Sequence, residues 1–193
     1  FCDSICGRHT ASTEKRTAEP RSDRGDTNAR RRIWTMSIVP AGALSGLTIA
    51  RDFLPAREGR WDRTGRNNDA WSIEPGETKV LADLKGPGVI SHIWFTIGSA
   101  DKLYLRKLLL RMYWDGEENP SVETPVGDFF GLGHGRTYSY QCAPFNTSCN
   151  TEGDVGNGCA MNCWFQMPFR KSARVEIVNE QTEPVRSFYF YID

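Results

Sequence analysis

Between Val89 and Ile97 the chain carries large side chains on both faces of one extended segment. Val89, Ile93, Phe95 and Ile97 share one face, and Ile90, His92, Trp94 and Thr96 share the other. Side chains at i and i+2 of a strand point the same way. Two rich faces both need cover, so this segment is expected to run through the middle of a sheet.

The flanking text repeats the period of two. Glu77 to Leu84 places Val80, Ala82 and Leu84 on one face, and the turn residues Lys85, Gly86, Pro87 and Gly88 follow. Lys107 to Trp114 aligns Leu108, Leu110, Met112 and Trp114, and the Asp115-Gly116 turn leads into Ser121 to Val126. Further strands are expected at Asn162 to Met167, Arg174 to Val178 and Ser187 to Ile192. About seven short strands with no convincing helix point to an all-β fold, a jelly-roll β-sandwich, with a partly open barrel as the alternative. The stretch from Phe130 to Gly158, rich in Gly, Ser, Asn, Thr and Cys, reads as one long loop of the functional or flexible kind.

Ahead of this body, which is expected to begin near Trp61, the text changes. Residues 1 to about 35 are polar, include the run Arg30 to Arg32 and show no apolar repeat, the composition of a disordered tail or of a gene-model artefact. Met36 is a candidate start, and Leu44 to Phe53 has the spacing of a short helix. The expected organisation is therefore a tail over residues 1–40 and one domain over residues 41–193. The opening at Phe1 and the strand-like run up to Asp193 give the chain the look of a fragment.

The 24 Lys plus Arg balance the 24 Asp plus Glu, so no polyanion site is expected and no nucleic-acid partner. No stretch reaches the roughly 18 to 20 apolar residues of a membrane-spanning helix, and no membrane partner is expected. The six cysteines are Cys2, Cys6, Cys142, Cys149, Cys159 and Cys163. Their spacing lacks the paired C-x-x-C units of a zinc ribbon. Pairings Cys142 with Cys149, or Cys149 with Cys159, stay open, and free thiols are the default. His9 falls in the tail. His92, on a strand beside Trp94, suits a hydrogen-bonded packing role, and no metal or cofactor site is legible.

Paired carboxylates can hydrolyse a glycosidic bond. The cluster Asp115, Glu117, Glu118 and Glu123 reads instead as turn chemistry, because adjacent glutamates on an extended segment face opposite ways. The run GDFFGLGHG at 127–135 lacks the ending of a phosphate-binding loop. Its Asp128, Phe129, Phe130 and His134 are the mixture a sugar pocket uses, aromatic faces for ring carbons and polar groups for hydroxyls. The competing reading has Phe129 and Phe130 plugging the end of the sandwich. The stretch from Asp62 to Asp69 gathers donors and acceptors in a segment too polar to pack, as binding loops and Asx turns both do.

Several of these segments together resemble a known family: WDRTGRNND at 61–69, EPGET at 74–78, LADL at 81–84, GPG at 86–88, HIWFT at 92–96, RMYWDGE at 111–117, GDFFG at 127–131, GHG at 133–135 and MPFRK at 167–171. In this order they resemble the N-terminal part of glycoside hydrolase family 172, formerly a domain of unknown function. The resemblance spans about Trp61 to Asp193. It implies a subunit of two jelly rolls, of which this would be the first, assembled into trimers or hexamers. It also implies a retaining activity on furanosides, namely α-D-fructofuranosides, difructose anhydrides or D-arabinofuranosides. The family's two catalytic glutamates lie in and after a Gly-Thr-Glu-Asp-Tyr-Phe-like segment that does not occur here, so no catalytic residue is assigned. Asn67, Asn68 and Asp69 match its polar loop, with Arg66 standing for a usual glycine and Asn68 for a usual aspartate. Asp128, Phe129, Phe130 and His134 match its glycine-rich loop. The expected partner is a furanose-containing oligo- or polysaccharide. The expected function is that of a furanosidase fragment, or else of a non-catalytic module for carbohydrate binding or oligomer assembly.

Overall fold

The computed structural model describes residue 50 and residues 52–193. The tail, His9, Cys2, Cys6 and most of the helix expected at Leu44 to Phe53 lie outside them, and Asp52 and Phe53 carry no helix. In chain order the strands are β1 (Glu58–Gly59), β2 (Trp71–Ile73), β3 (Thr78–Lys85), β4 (Gly88–Ile90), β5 (Ile93–Ser99), β6 (Leu108–Trp114) and β7 (Val122–Pro125). They continue with β8 (Tyr140–Gln141), β9 (Phe145–Cys149), β10 (Cys159–Cys163), β11 (Met167–Phe169), β12 (Ser172–Asn179) and β13 (Val185–Ile192). Two one-turn helices, α1 (Tyr104–Lys107) and α2 (Val126–Phe129), and a 3-10 turn at Gly133–Gly135 complete the described residues.

All strand pairings are antiparallel. The larger sheet runs β1-β13-β5-β10-β9-β8, with β2 also on β13, and the second runs β3-β12-β6-β7. A ribbon of β11 and β4 lies apart from both. The chain passes directly between the two sheets from β2 to β3, from β5 to β6, from β7 to β8 and from β12 to β13, and the fold is the expected all-β sandwich. Strand β5 sits between β13 and β10, the central place its two faces called for. Its Ile93, Phe95 and Ile97 enter the core, with Phe188 and Phe190 of β13 from the same sheet and Leu110, Met112, Val175 and Ile177 from the other.

Four local expectations need correction. The segment from Val89 breaks at Ser91 and His92, which exchange backbone hydrogen bonds with Asp193. Before the break the faces are exchanged, so Ile90 is 1% exposed and Val89 is 50% exposed. On β3 the register against β12 slips between Val175 and Glu176, whose partners are Ala82 and Val80. Leu81 is the extra residue of a bulge, so Leu81 and Ala82 both go inward while Val80 is exposed. The strand expected at Asn162 to Met167 is divided between β10 and β11.

The fourth correction is the stretch from Phe130 to Gly158. It is no single loop, because it supplies β8 and β9 to the edge of the larger sheet. Thr147 of β9 is buried and donates its hydroxyl to the carbonyl of Tyr138 at 2.5 Å, so a polar residue fills an inward position. Cys149 and Cys159 face each other across β9 and β10 and form a disulfide. Free thiols are therefore confined, among the described cysteines, to exposed Cys142 and buried Cys163.

Candidate functional site

The two groups of residues singled out from the sequence occupy different parts of the sandwich. The first, Asn67 to Asp69, belongs to the connection between β1 and β2, both of which pair with β13. Asp62 organises it. Its carboxylate accepts the Thr64 hydroxyl at 2.6 Å and the backbone N–H groups of Thr64 at 2.8 Å, Arg66 at 3.1 Å and Asn68 at 3.1 Å. Asp69 closes the loop by accepting the Asp62 N–H at 2.5 Å. Asn67 takes a left-handed conformation with φ of 59°, one of the few side chains that does so readily. Asn67 and Asn68 are exposed and Asp69 is half-buried.

The hydrogen bonds from Thr64, side chain first, then its backbone and those of Asn68 and Arg66, hold the Asp62 carboxyl down to about 2, against slight burial. A carboxyl lowered on folding stabilises the native loop above its unfolded value and loses that contribution as pH falls through the folded one. The amides of Thr64, Arg66 and Asn68 are therefore expected to lose hydrogen-exchange protection as pH drops from about 4 towards 2. Asp62→Asn should leave those amides weakly protected and with little further pH dependence.

The second group gathers around Arg106 of α1. Asp128 forms an ion pair with the Arg106 guanidinium. Gly135 is buried against the same side chain with φ of 67°, and a Cβ there would sit 3.0 Å from Arg106 Cγ. His134, exposed with φ of 61°, lies at the apex of that turn. Phe129 is partly buried, its ring edge-on to Phe130 at 4.9 Å and to Phe145 at 6.0 Å. Phe130 is fully buried and edge-on to Phe95 at 5.5 Å. Its ring fills the core, as in the plugging alternative, and leaves no face for a ligand. The two groups share no hydrogen bond or ion pair, and β5 and β10 lie between β13 beside the first and β9 beside the second.

The carboxylate cluster after β6 serves the turns. Asp115, with φ of 54°, accepts the N–H groups of Arg170, Lys171 and Ser172 at 2.9, 2.6 and 3.2 Å. Glu117 accepts the Ser121 hydroxyl, and Glu123 lies 2.9 Å from Arg111 Nε.

The structure adds a constellation that sequence reading missed, on the outward side of the larger sheet. Arg57 donates to Asp193 through Nη2 at 2.9 Å, and His92 Nδ1 meets the same carboxylate at 3.0 Å. His92 Nε2 lies 3.0 Å from Asn162 Oδ1, Asn162 donates to Asn146 at 3.5 Å, and Asn146 donates to the Tyr140 carbonyl at 3.4 Å. Burial pushes the Asp193 carboxyl up, but the bonds from Arg57 and His92 outweigh it and hold it below its ordinary value. Trp164 stacks on His92 and Trp94 stacks on Tyr191. His92 thus has the hydrogen-bonded role its position suggested. Beside Arg57 and Asp193 opens a cleft of about 270 Å³, whose apolar wall includes Phe53, Leu54, Val89 and Phe169.

A search of curated proteins returns no match. A family model does match, described as GH172 domain-like, over residues 64–190. That span covers β2 to β12 and most of β13, with the glycine-rich turn, Asp128 and the end of the first loop inside it. On that match the chain belongs to the GH172 domain family of glycoside hydrolases.

Proposed function

We propose that this domain is the first jelly roll of a retaining furanosidase acting on α-D-fructofuranosides, difructose anhydrides or D-arabinofuranosides. The enzyme works as a homotrimer or homohexamer. The family match over residues 64–190 carries the reading. In it, Asn67, Asn68 and Asp69 in one loop and Asp128, Phe129 and His134 in another meet different sugar units of a furanose oligosaccharide, while Phe130 supports Phe129 from the core. The catalytic glutamates come from chain outside residues 1–193.

A retaining mechanism needs two carboxyls about 5 to 5.5 Å apart, one with its affinity for protons raised. Six described carboxyls are held below their ordinary value: Asp62, Glu77, Asp101, Asp115, Glu152 and Asp193. Each is tied up by hydrogen bonds to the backbone or to a neighbouring side chain, the setting of a structural anchor and the opposite of a proton donor's.

Asp69→Ala in the intact enzyme is expected to raise KM for an α-D-fructofuranoside or D-arabinofuranoside by a factor matching about 1 to 3 kcal/mol, because hydroxyls lose their partner. Asp69→Asn, which can still accept the Asp62 N–H, controls for collapse of the loop. Steady-state kinetics on both variants decide the matter. An unchanged KM in Asp69→Ala removes the residue from the site.

A further inference from the structure

The glycine-rich turn that carries His134 hangs between two anchors. On one side Leu132 is 2% exposed in the core, and its N–H donates to the Gly127 carbonyl at 2.7 Å. On the other side Thr137 has no exposed surface, and its hydrogen bonds run to the stretch 150–158. Its hydroxyl shares a proton between the carbonyls of Thr151 and Asp154 at 2.9 and 3.2 Å, its N–H donates to Asp154 at 2.9 Å, and its carbonyl accepts the Gly153 N–H at 2.7 Å. We infer that the disulfide-closed loop 150–158 is a brace that positions His134, and that reduction of the Cys149–Cys159 bond by a dithiol releases it.

The loop has little of its own to hold it. Residues 151–158 include three glycines and a single apolar side chain, Val155, so burial offsets little of the entropy lost on ordering them. Polar contacts with the exit of the turn and a covalent tie at the base supply the order instead. Arg136 pairs with Val155, its guanidinium donates to the Gly153 carbonyl at 2.6 Å, and the Ser139 N–H donates to the Glu152 carboxylate at 3.0 Å. At the base Cys149 stands opposite Cys159 where β9 ends and β10 begins, so the bond fixes both ends of the loop. The far side packs on α1. Tyr104, 1% exposed, donates its hydroxyl to the Asn157 carbonyl at 2.9 Å, and a Cβ on Gly156 would stand 2.5 Å from Lys102 Cα. The same helix carries Arg106, which holds Asp128 and lies against Gly135.

Opening the loop strips the buried Thr137 hydroxyl and amide of their partners, and a buried polar group left unpaired is costly. Thr137 therefore leaves its place with the loop, and His134 loses one anchor of two. In the reduction, a thiolate of the dithiol attacks the sulfur of half-buried Cys149 and expels that of Cys159, which is 2% exposed. The second thiol of the reductant then resolves the mixed disulfide. Both cysteines end as thiols carrying the two protons of the dithiol, and the dithiol is oxidised to its cyclic disulfide. The effect on sugar binding rests on the furanoside reading of His134, whereas the mechanical link from bond to turn does not.

The test is hydrogen–deuterium exchange of the full protein, resolved to single amides by mass spectrometry. It is run with and without dithiothreitol, below the melting temperature of the reduced form. The Arg136 N–H, bonded within the turn to the Gly133 carbonyl, is expected to exchange roughly 10- to 100-fold faster after reduction, while the amides of β6 and β12 keep their rates. Cys149→Ser combined with Cys159→Ser should reproduce the fast rate and ignore dithiothreitol. Thr137→Val should speed the same amide with the bond intact, and Thr137→Ser should not. In the intact enzyme, reduction should raise KM for a furanoside severalfold with kcat held, and reoxidation should restore it. An Arg136 rate that reduction leaves unchanged, or equal acceleration throughout β6 and β12, overturns the brace. Faster Arg136 exchange with an unchanged KM upholds the brace and removes His134 from the sugar site.

Discussion

Phe130→Ala is expected to lower the free energy of unfolding by about 3 to 5 kcal/mol, the range for removing a fully enclosed phenylalanine ring. The ring has no exposed surface and stands edge-on to Phe95, Phe129 and Phe145. Truncation leaves a cavity that rigid strands on either side cannot close. The Tyr140 hydroxyl also donates to the Phe130 carbonyl at 2.5 Å, which holds the backbone in place and limits collapse. Phe129→Ala, at a partly buried ring, should cost clearly less. Urea denaturation of both variants measures the difference, and a loss below about 1 kcal/mol for Phe130→Ala would place that ring outside the core. A Phe130 substitution that lowers activity should therefore act through stability.

The second large effect is expected at the disulfide. Cys149 and Cys159 are ten residues apart in sequence, and a closed loop of that size removes about 2.5 to 3 kcal/mol of chain entropy from the unfolded state. Replacing both cysteines with serine, or reducing the bond, should lower Tm by roughly 6 to 10 °C for a chain of this length. The loop it closes is otherwise held by the buried hydroxyl of Thr137, which donates to the carbonyls of Thr151 and Asp154 at 2.9 and 3.2 Å, and by the Arg136 contact with the Gly153 carbonyl at 2.6 Å. Cys142→Ser, at an exposed free thiol, should leave Tm unchanged. Calorimetry with and without reductant reads both, and equal melting of oxidised and reduced protein would mean that the bond adds nothing.

The parts of the fold that sequence made legible are those where burial follows a strict period of two. Strand β6 places Leu108, Leu110 and Met112 inward as the spacing indicated, and the central position of β5 followed from its two loaded faces. The bulge at Leu81 was out of reach because one extra residue reverses the phase of everything beyond it. Strands β8 and β9 were hidden by composition. Their inward positions include Thr147 and Cys149, a polar residue satisfied by a backbone carbonyl and a cysteine satisfied by a covalent bond.

The site divides along the same line. Asp62 and its turn were visible as a cluster of donors and acceptors, because Asx geometry is local. The ion pair of Arg57 with Asp193 and the contacts of His92 with Asp193 and Asn162 join residues 136, 101 and 70 positions apart. No local spacing signals such contacts; they exist only because β13 and β10 flank β5. Phe130 misled for a related reason, since an aromatic residue on a glycine-rich segment looks the same whether the segment turns towards solvent or towards the core.

The central claim is that the domain belongs to an enzyme of furanosides, and sugar release tests it most directly. Residues 1–193 and the same protein extended through its reading frame are each incubated with α-D-fructofuranosides, D-arabinofuranosides and the matching pyranosides. The account predicts furanose release with retained anomeric configuration by the extended protein alone. Release by residues 1–193 alone would contradict the placement of the catalytic glutamates, and hydrolysis confined to pyranosides, or none from either form, would contradict the furanosidase reading itself.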